Sequence, residues 1–167
     1  MENNTNLKKM FFNNLQLRSA LIKIEDELVN NMWMPNIILG INRGGCIPGV
    51  YLSHKLNREH SVLDVRLRDH AAKPNLSVLE KEFAFQKKIL IIDDINDSGA
   101  TFQYITDNFG RHDRVRYAAV INNRSSLVKV DYFGYEIDKN ENPQWVVFPW
   151  EEWTLGAFSA YNADRSK

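Results

Sequence analysis

Two short apolar runs constrain the fold of this chain more than any other feature. They are Ile37–Ile41 and Ile89–Ile92, each nearly continuous in branched aliphatic residues. Runs this short and this apolar are typical of strands buried on both faces, as in a parallel sheet. Each run leads through a loop into a predicted helix, so strands alternate with helices along the chain. This alternation predicts an α/β fold, with a mostly parallel twisted sheet flanked by helices.

The other predicted elements follow from periodicity and from capping residues. Apolar residues at three- and four-residue spacing predict a helix that begins at Asn14 as its cap; they are Leu17, Ala20, Leu21, Ile24 and Leu28. Further helices are predicted over 49–56, with Pro48 in the first turn, and over 101–109, ended by Gly110. Strands are predicted over 61–65, 115–121, 132–137 and 145–148, with an edge strand at 10–12. Residues 66–82 lack any period and are predicted to form a long mobile loop.

Composition excludes several classes of protein. The 167 residues carry 21 Lys and Arg against 21 Asp and Glu, so no basic surplus exists for non-specific binding to nucleic acid or to an anionic membrane. No apolar run approaches the roughly 18 residues of a membrane span. The single cysteine, Cys46, excludes an internal disulfide. We therefore expect one cytoplasmic domain, residues 1–167, with its core at about 14–153.

The segment after the second apolar run carries the chemistry. Asp93, Asp94 and Asp97 place three carboxylates within five residues at the end of a buried strand, where a cation or a polyhydroxyl ligand would stabilise them. Residues 98–101 then lie where the next helix begins, so their free amides and hydroxyls can bind a phosphate. The alternative is a capped turn, with Asp97 or Ser98 as the N-cap and the other acids in solvent.

This segment, ILIIDDINDSGAT, closely resembles the motif with which type I phosphoribosyltransferases bind phosphoribosyl pyrophosphate (PRPP). Two further segments agree with it in the same order along the chain. GINRGGCIPGVYLSHKL is similar to the strand, pyrophosphate loop and helix of the xanthine-guanine and hypoxanthine phosphoribosyltransferase group. VDYFGYEI and WVVFPWE are similar to the base-binding part of that group. The resemblance implies that group's fold, with a small C-terminal hood over the base.

The resemblance also implies residue roles on the PRPP side. Asp93 and Asp94 match the acids that contact the ribose hydroxyls and support Mg²⁺, with Asp94 as the metal ligand. The 5′-phosphate loop corresponds to Asp97, Ser98, Gly99, Ala100 and Thr101. Arg43 and Gly44 match the pyrophosphate loop, whose Arg-Gly peptide is often cis in this family. The predicted mobile loop aligns through Asp69 and His70, and Lys73 is the nearest cation to the position of the family's loop arginine. Surface ion pairing of Arg43 and a solvated Lys73 are the alternatives.

The base side departs from the family. Asp97 matches the acid beside the purine imidazole, as a proton acceptor or orienting group, so the implied catalytic residues are Asp93, Asp94 and Asp97. Related purine enzymes carry a lysine after the fifth strand, which contacts the 6-oxo group, and here Asn123 takes its place. Asn123 could still donate to a carbonyl through its amide, and Arg124 could also reach the base, so both are predicted base-binding residues. On this basis Asn123→Lys is expected to raise turnover of 6-oxopurines. Trp145 matches the residue that stacks on the base and Val146 the one whose backbone contacts its edge; core packing is the alternative for Trp145.

Together these features predict a Mg²⁺-dependent enzyme that joins PRPP to a 6-oxopurine (guanine, xanthine or hypoxanthine) and releases pyrophosphate. A homo-oligomer, either dimer or tetramer, is expected, without nucleic-acid or membrane partners. Two alternatives stay open from the sequence. One is a regulatory protein that binds PRPP or nucleotides without turnover. The other is a phosphoribosyltransferase with a non-purine acceptor.

Overall fold

The apolar runs form the centre of a parallel sheet in the computed structural model, which describes residues 7–65, 67 and 73–151. Helices and strands alternate through most of this range. In chain order the elements are β1 (Lys8–Phe11), α1 (Asn14–Asn30), β2 (Ile37–Ile41), α2 (Cys46–Leu56), β3 (Glu59–Leu63), α3 (Ser77–Ala84), β4 (Ile89–Asn96), α4 (Ala100–Phe109), β5 (Val115–Asn123), β6 (Tyr132–Ile137) and β7 (Gln144–Val147).

The main sheet has five strands in the order β3-β2-β4-β5-β6, and every neighbouring pair is parallel. The chain leaves β2 towards β3 on one side and leaves β4 towards β5 on the other, so the order reverses between β2 and β4. Ligands of open α/β sheets bind at the carboxyl ends of strands beside such a reversal. The predicted fold class is therefore confirmed, and the sheet points to the segments after β2 and β4.

Apolar side chains cover both faces of this sheet. Ile38, Leu90 and Ile92 point to one face, where they pack with the buried side of α1. Ile37, Leu39 and their alternating neighbours pack on the other face with α4. The five residues predicted for the buried side of α1 are all buried. A strand whose two faces are both covered by helices has no solvent side, which explains the continuous apolar runs.

A second, two-stranded sheet joins the two ends of the described chain. β1 pairs in parallel with β7, with Lys8 opposite Gln144 and Phe11 opposite Val147. Phe12 then packs edge-on against Phe148, with ring centroids 5.6 Å apart. The predicted edge strand at 10–12 thus exists slightly earlier in the chain, and it holds the C-terminal strand over the main sheet.

Several predicted boundaries shift for local reasons. The cap of α1 is Asn13, because its side chain accepts from the amide of Gln16 while the Gln16 side chain accepts from the amide of Asn13. Because of this reciprocal capping box, the helix begins one residue earlier than a cap at Asn14 would place it. α2 begins at Cys46, ahead of the predicted start at Gly49, because the turn before it already has helical hydrogen bonding.

The long loop predicted over 66–82 is wrong in its second half. Residues 77–84 form α3, which buries Leu79 and Glu82. Asn75 starts this helix by accepting from the amide of Ser77 at 2.9 Å, and Lys87 pairs with Glu82 at 2.8 Å. A helix of eight residues is too short to show a clear period. Asp69 and His70, the part of the loop aligned with the family, lie outside the described residues.

Candidate active site

Two polar segments meet at the carboxyl edge of the sheet. Residues 42–45 follow β2, and β4 ends at Asn96 before residues 97–99. β2 and β4 are parallel neighbours, with Gly40 opposite Ile92. The segments that follow these positions are therefore side by side.

The loop after β2 packs directly on the acids of β4. A Cβ on Gly44 would lie 1.8 Å from Oδ2 of Asp94, and one on Gly45 would lie 2.4 Å from the carbonyl oxygen of Ile92. Only glycine allows backbone to approach this closely. Glycine is therefore required at both positions, because a side chain at either would clash with β4. The loop forms one wall of a narrow site, and the end of β4 forms its floor.

The cis peptide predicted in this loop lies one residue earlier than expected. It joins Asn42 to Arg43, in place of Arg43 to Gly44. Arg43 and Gly44 already form the turn into α2, since their carbonyls accept from the amides of Cys46 and Ile47. The Arg43 side chain is exposed at the mouth of the site.

The paired acids lie inside β4 and not beyond its end. β4 continues to Asn96 because its last residues pair with β5, with Asp93 opposite Ala119 and Asn96 opposite Asn122. The amide of Asp94 donates to the Asp93 carboxylate at 2.9 Å, and the amide of Ile95 donates to Asp94 at 2.8 Å. Both side chains are only partly accessible. The N-cap of α4 is Gly99, with no side-chain cap, so the alternative of a turn capped by Asp97 or Ser98 is wrong.

Burial makes the charged forms of these acids costly. It raises the pKa of Asp94 from 3.8 to about 6, and the nearby carboxylate of Glu151 adds to the rise. Burial, followed by the charge of Asp94, also raises the pKa of Asp93 well above its usual value. Carboxylates crowded in this way favour a bound cation, which would lower the cost of ionisation. Sequence reasoning missed Glu151, whose acidic neighbours in the fold are remote in sequence.

This rise predicts how stability depends on pH in metal-free buffer. An acid whose pKa is higher in the folded state stabilises the fold at low pH, and that stability is lost as pH rises through the folded value. Burial raises the pKa of Asp94 from 3.8 to about 6. As pH rises from 4 to 8, the free energy of unfolding of the wild type should therefore fall by about 3 kcal/mol because of this residue. Asp94→Asn removes this loss, so the free energy of unfolding of the variant relative to the wild type should rise between about pH 4 and pH 6 and level off above about pH 7.

Urea unfolding with EDTA at pH 5, 6, 7 and 8 measures this difference. Asp113→Asn is the matched control, because Asp113 is exposed just before β5 at the opposite edge of the sheet. A difference between Asp94→Asn and wild type that stays constant with pH would contradict the predicted burial cost.

A turn through Gly99, which we call the phosphate turn after its predicted role, follows the acids. Gly99 has φ 86° and is the N-cap of α4, a conformation that favours glycine. The first helical hydrogen bond runs from the amide of Gln103 to the carbonyl of Gly99 at 2.8 Å. The amides of residues 100–102 come before it and point out of the helix end, where the helix dipole is positive. The turn therefore offers donors to an anion, with Ser98 exposed beside them.

A buried polar network, for which the sequence offers no signal, holds this turn. Asn96 is 1% exposed and donates to Asn122 and to the carbonyl of Val128, at 2.8 and 2.7 Å. Ser126 donates to Asn96 at 2.9 Å, and a Cβ on Gly99 would lie 2.6 Å from the Ser126 hydroxyl. The segment after β5 thus supports the turn from behind, which fixes its amides in one direction.

Asp97 stands between the phosphate turn and the segment after β5. Its carboxylate forms an ion pair with Lys139, Nζ to Oδ2 at 2.9 Å. Its carbonyl accepts from the side-chain amide of Asn123 at 3.1 Å. The Asn123 side chain is itself buried, at 5% exposure. The structure thus brings Asn123, the residue at the family's lysine position, to the backbone of Asp97, and the base-binding roles of both stay predictions.

Arg124 does not reach this group of residues. Its guanidinium donates twice to Oε1 of Glu136 on β6, at 3.1 and 2.9 Å, and is largely exposed. Lys73, the cation proposed from the loop, is exposed as well. The ion pair with Glu136 directs Arg124 away from the acids, and nothing in the described part of the chain links Lys73 to them. The base-binding role of Arg124 and the PRPP-binding role of Lys73 stay predictions.

The C-terminal strand presents its aromatic residue outward. Trp145 on β7 is 38% exposed, whereas Val146 and Val147 are buried. A tryptophan packed in the core would not be this accessible, so core packing does not explain it. Trp150 stacks on Phe148 with ring centroids 4.8 Å apart, as expected for a core contact. Trp153 lies outside the described residues.

Comparison with known families identifies the chain. The phosphoribosyl transferase domain family matches residues 9–153, a range that contains the paired acids, both loops and the C-terminal strand. The chain belongs to this family.

Several solved structures share its fold. The purine phosphoribosyltransferase of Pyrococcus horikoshii Ot3 is 25% identical, with a TM-score of 0.66 over 87% of this chain and 95% of that one. The xanthine-guanine-hypoxanthine phosphoribosyltransferase of Helicobacter pylori is 18% identical, with a TM-score of 0.66 over 90% of this chain and 99% of that one. A Neisseria gonorrhoeae protein solved with bound ppGpp is 18% identical, with a TM-score of 0.64 over 87% and 90%.

For a phosphoribosyltransferase, the paired acids form a fitting metal site. Mg²⁺ prefers oxygen ligands and is usually held by one or two carboxylates together with substrate oxygens and waters. Asp93 and Asp94 provide such carboxylates, and burial makes their ionised forms costly unless a cation lies nearby. The described residues contain no group of three or more metal-ligating side chains, so these acids would hold the ion together with the substrate.

Cys46 takes no part in this chemistry. Its thiol points to the carbonyls of Gly40 and Ile41, at 3.7 and 3.8 Å. Burial raises the pKa of Cys46, and the carboxylate of Asp93 adds to the rise, so the thiol stays protonated and is a poor nucleophile. It packs the start of α2 against β2.

Proposed function

We propose that the protein transfers the 5-phosphoribosyl group of PRPP to a 6-oxopurine and releases pyrophosphate, with Mg²⁺. One observation carries this proposal. The paired acids of β4 lie against the Gly44 backbone, and the amide-rich turn at Gly99 follows on the same chain segment. Cation-binding, sugar-binding and phosphate-binding groups thus line one edge of the sheet, in the order that a phosphorylated sugar with a pyrophosphate would require.

Each end of PRPP has partners of suitable chemistry. The 5′-phosphate would accept hydrogen bonds from the amides that precede the first helical bond of α4. The ribose hydroxyls would donate to Asp93 and Asp94. The pyrophosphate would lie against the backbone of Gly44, with the exposed guanidinium of Arg43 as its cationic partner. Bound Mg²⁺ would supply charge neutralisation of the leaving group.

The reaction is a displacement at C1 of the ribose. The bond from C1 to the pyrophosphate oxygen breaks, the electron pair leaves with pyrophosphate, and a ring nitrogen of the base forms the new bond to C1. The base loses the proton of a ring N–H, and Asp97 is the carboxylate placed to accept it. Positive charge that develops on the ribose is stabilised by Asp93 and Asp94 beneath it.

A purine acceptor is favoured by the base side of the site. Trp145 offers an accessible aromatic face on which a base can stack, and Asp97 offers an acceptor for an imidazole N–H. The Pyrococcus horikoshii relative, which this chain matches over most of both chains, is a purine phosphoribosyltransferase. These observations support a purine over a non-purine acceptor.

A panel of acceptors tests the function directly. The protein is incubated with PRPP and Mg²⁺ and with guanine, hypoxanthine, xanthine, adenine, orotate or uracil, and pyrophosphate release is measured. We expect release with one or more 6-oxopurines and loss of release in EDTA. Release only with orotate or uracil would contradict the purine acceptor. PRPP binding without release for any base would favour the regulatory alternative.

The broader expectations from the sequence stay predictions. None of the described helices combines the length and the apolar character needed to cross a bilayer. A homo-oligomer and a cytoplasmic location are proposed on family resemblance. Exposed apolar side chains on α2, Ile47, Val50 and Tyr51, offer one surface for such an oligomer.

A further inference from the structure

The base-side asparagine is already engaged within the protein, since its side-chain oxygen and one of its two N–H groups have partners. The Asn123 amide nitrogen donates to the carbonyl of Asp97 at 3.1 Å. Its side-chain oxygen accepts from the amide of Lys139 at 3.1 Å and from the hydroxyl of Ser125 at 3.0 Å. With both ends engaged and only 5% of the residue exposed, Asn123 fastens the segment after β6 to the segment after β4.

The fastened segment is a tight turn that fixes the position of Lys139. Asp138 accepts from the amides of Asn140 and Glu141, at 2.9 and 3.4 Å, and its carbonyl accepts from the amide of Asn142 at 2.9 Å. A side-chain oxygen that accepts two residues on is an Asx turn, which restrains the backbone locally. Lys139 is therefore held on both sides, by this turn and by Asn123.

The Lys139 ammonium is directed to the acid of the base site. It lies 2.9 Å from Oδ2 of Asp97, and the two side chains are only 19% and 29% exposed. Lysine side chains are mostly exposed, and one that is largely buried is usually paired, as here. The chain then continues from this turn into β7, which carries the accessible Trp145. A cation, an anion and an aromatic residue thus come from the segments that surround the proposed base position.

We infer that Lys139 binds the exocyclic oxygen of the base, the role that sequence alignment gives to Asn123. This inference rests on the proposed function. In a 6-oxopurine, the oxo group and the adjacent imidazole nitrogen lie on one edge of the ring system. Lys139 and Asp97 offer a donor and an acceptor side by side, which matches that edge when the nitrogen carries its proton. When the base binds, its edge would replace the direct contact between Lys139 and Asp97.

The chemistry of an ammonium makes this contact selective. Lysine has three donors and no acceptor, so it favours an oxo group and disfavours an amino group at the same position. A neutral amide would discriminate less, because it can donate and accept. The inferred contact therefore selects 6-oxopurines over 6-aminopurines, by a residue from the β6–β7 connection.

The contacts of Asn123 reverse one expectation from the sequence. On sequence alone, Asn123→Lys is expected to raise turnover of 6-oxopurines. In the structure that change would remove three hydrogen bonds and place a second ammonium in a buried position close to Lys139. Asn123→Lys should instead lower turnover.

Lys139→Met tests the inference, because methionine keeps a long side chain and removes the charge. Lys88→Met is the matched control, since Lys88 is exposed at the amino end of β4, on the opposite edge of the sheet. The measurement is kcat/KM for guanine and hypoxanthine, and for adenine, at saturating PRPP. Calorimetry of GMP and AMP binding gives a second readout that does not require turnover.

The expected result is a change in preference and not a general loss. In Lys139→Met, kcat/KM for the 6-oxopurines should fall about 10- to 100-fold, the range for a lost charge-assisted hydrogen bond. The value for adenine should stay or rise, the affinity for GMP should fall relative to AMP, and the KM for PRPP should stay near that of Lys88→Met. The melting temperature of each variant checks that it is folded.

Two failures can be told apart. If the wild type forms nucleotides but the ratio of oxo- to aminopurine activity is the same in Lys139→Met and Lys88→Met, the inference is wrong and the proposed function stands. The inference is also wrong if both activities fall equally in a folded variant, since that indicates a structural ion pair. If the wild type uses no purine and binds GMP and AMP equally, the purine function fails first.

Discussion

Replacing both acids of β4 should nearly abolish turnover while leaving the protein folded. In Asp93→Asn/Asp94→Asn, the amide-bearing side chains can still accept from the amides of Asp94 and Ile95, so the local hydrogen bonds of the strand persist. What is lost is negative charge beside the ribose and the metal. We expect kcat/KM for PRPP to fall about 1,000-fold or more, since removing a single electrostatic contact at a reacting centre costs about 100- to 1,000-fold.

Pyrophosphate release and PRPP binding as a function of Mg²⁺ concentration measure this effect. Binding of PRPP by the wild type should tighten with Mg²⁺, and binding by the double variant should not respond to it. Asp113→Asn, at the far edge of the sheet, should behave as wild type. Turnover within a few-fold of wild type in a folded double variant would contradict the proposed mechanism.

The second large effect is expected from replacing the glycines of the loop after β2 with alanine. One variant should lose turnover and the other should lose stability. A Cβ on Gly44 would lie 1.8 Å from Oδ2 and 2.4 Å from Cγ of Asp94, so the carboxylate must turn away. A displacement of this size at a reacting centre can cost about 100-fold in rate. Gly44→Ala should therefore fold and lose turnover.

Gly45→Ala should instead lose stability. Its Cβ would lie 2.4 Å from the carbonyl oxygen of Ile92 and 2.9 Å from Cα of Asp93, and the backbone of a central strand cannot turn aside as a side chain can. Gly45 has φ −66° and ψ −16°, which any residue can adopt, so the effect comes from space alone. We expect a loss of about 1–3 kcal/mol in the free energy of unfolding, as for overpacked cores.

Urea unfolding and steady-state kinetics on both variants separate these outcomes. Gly44→Ala and Gly45→Ala are controls for each other, because each adds one methyl group and the two positions are adjacent. Equal loss of stability in the two variants, or full activity in Gly44→Ala, would contradict the packing described for this loop.

The elements that the sequence predicted well are those whose signal is local. The central strands can be recognised in the sequence as continuous apolar runs, because both of their faces are buried. The order of acids, glycine and hydroxyls in residues 93–101 is likewise local, since the strand, turn and helix are consecutive. α3 lacked such a signal, because only Leu79 and Glu82 of its eight residues are buried.

The base side could not be derived in this way. Asp97, Asn123 and Lys139 come from three different segments, and their contacts depend on where β5 and β6 end. A spacing rule cannot relate positions so far apart in the chain. Alignment compares one position at a time, and it therefore places a base contact on Asn123 without showing that another part of the fold supplies a cation.

The pairing of β1 with β7 sets an order of assembly for the two halves of the site. The phosphate side is built from β4, its turn and α4, which are neighbours in sequence and can form early. The strand that carries Trp145 needs Lys8–Phe11 as its partner, with Lys8 opposite Gln144, and closing so long a loop costs entropy before it brings contacts. Until β7 has been synthesised, β1 has no strand partner, because in the part of the chain that the structure describes the small sheet contains these two strands alone. The base side therefore depends on contacts between segments that are more distant in the chain than those of the turn after β4.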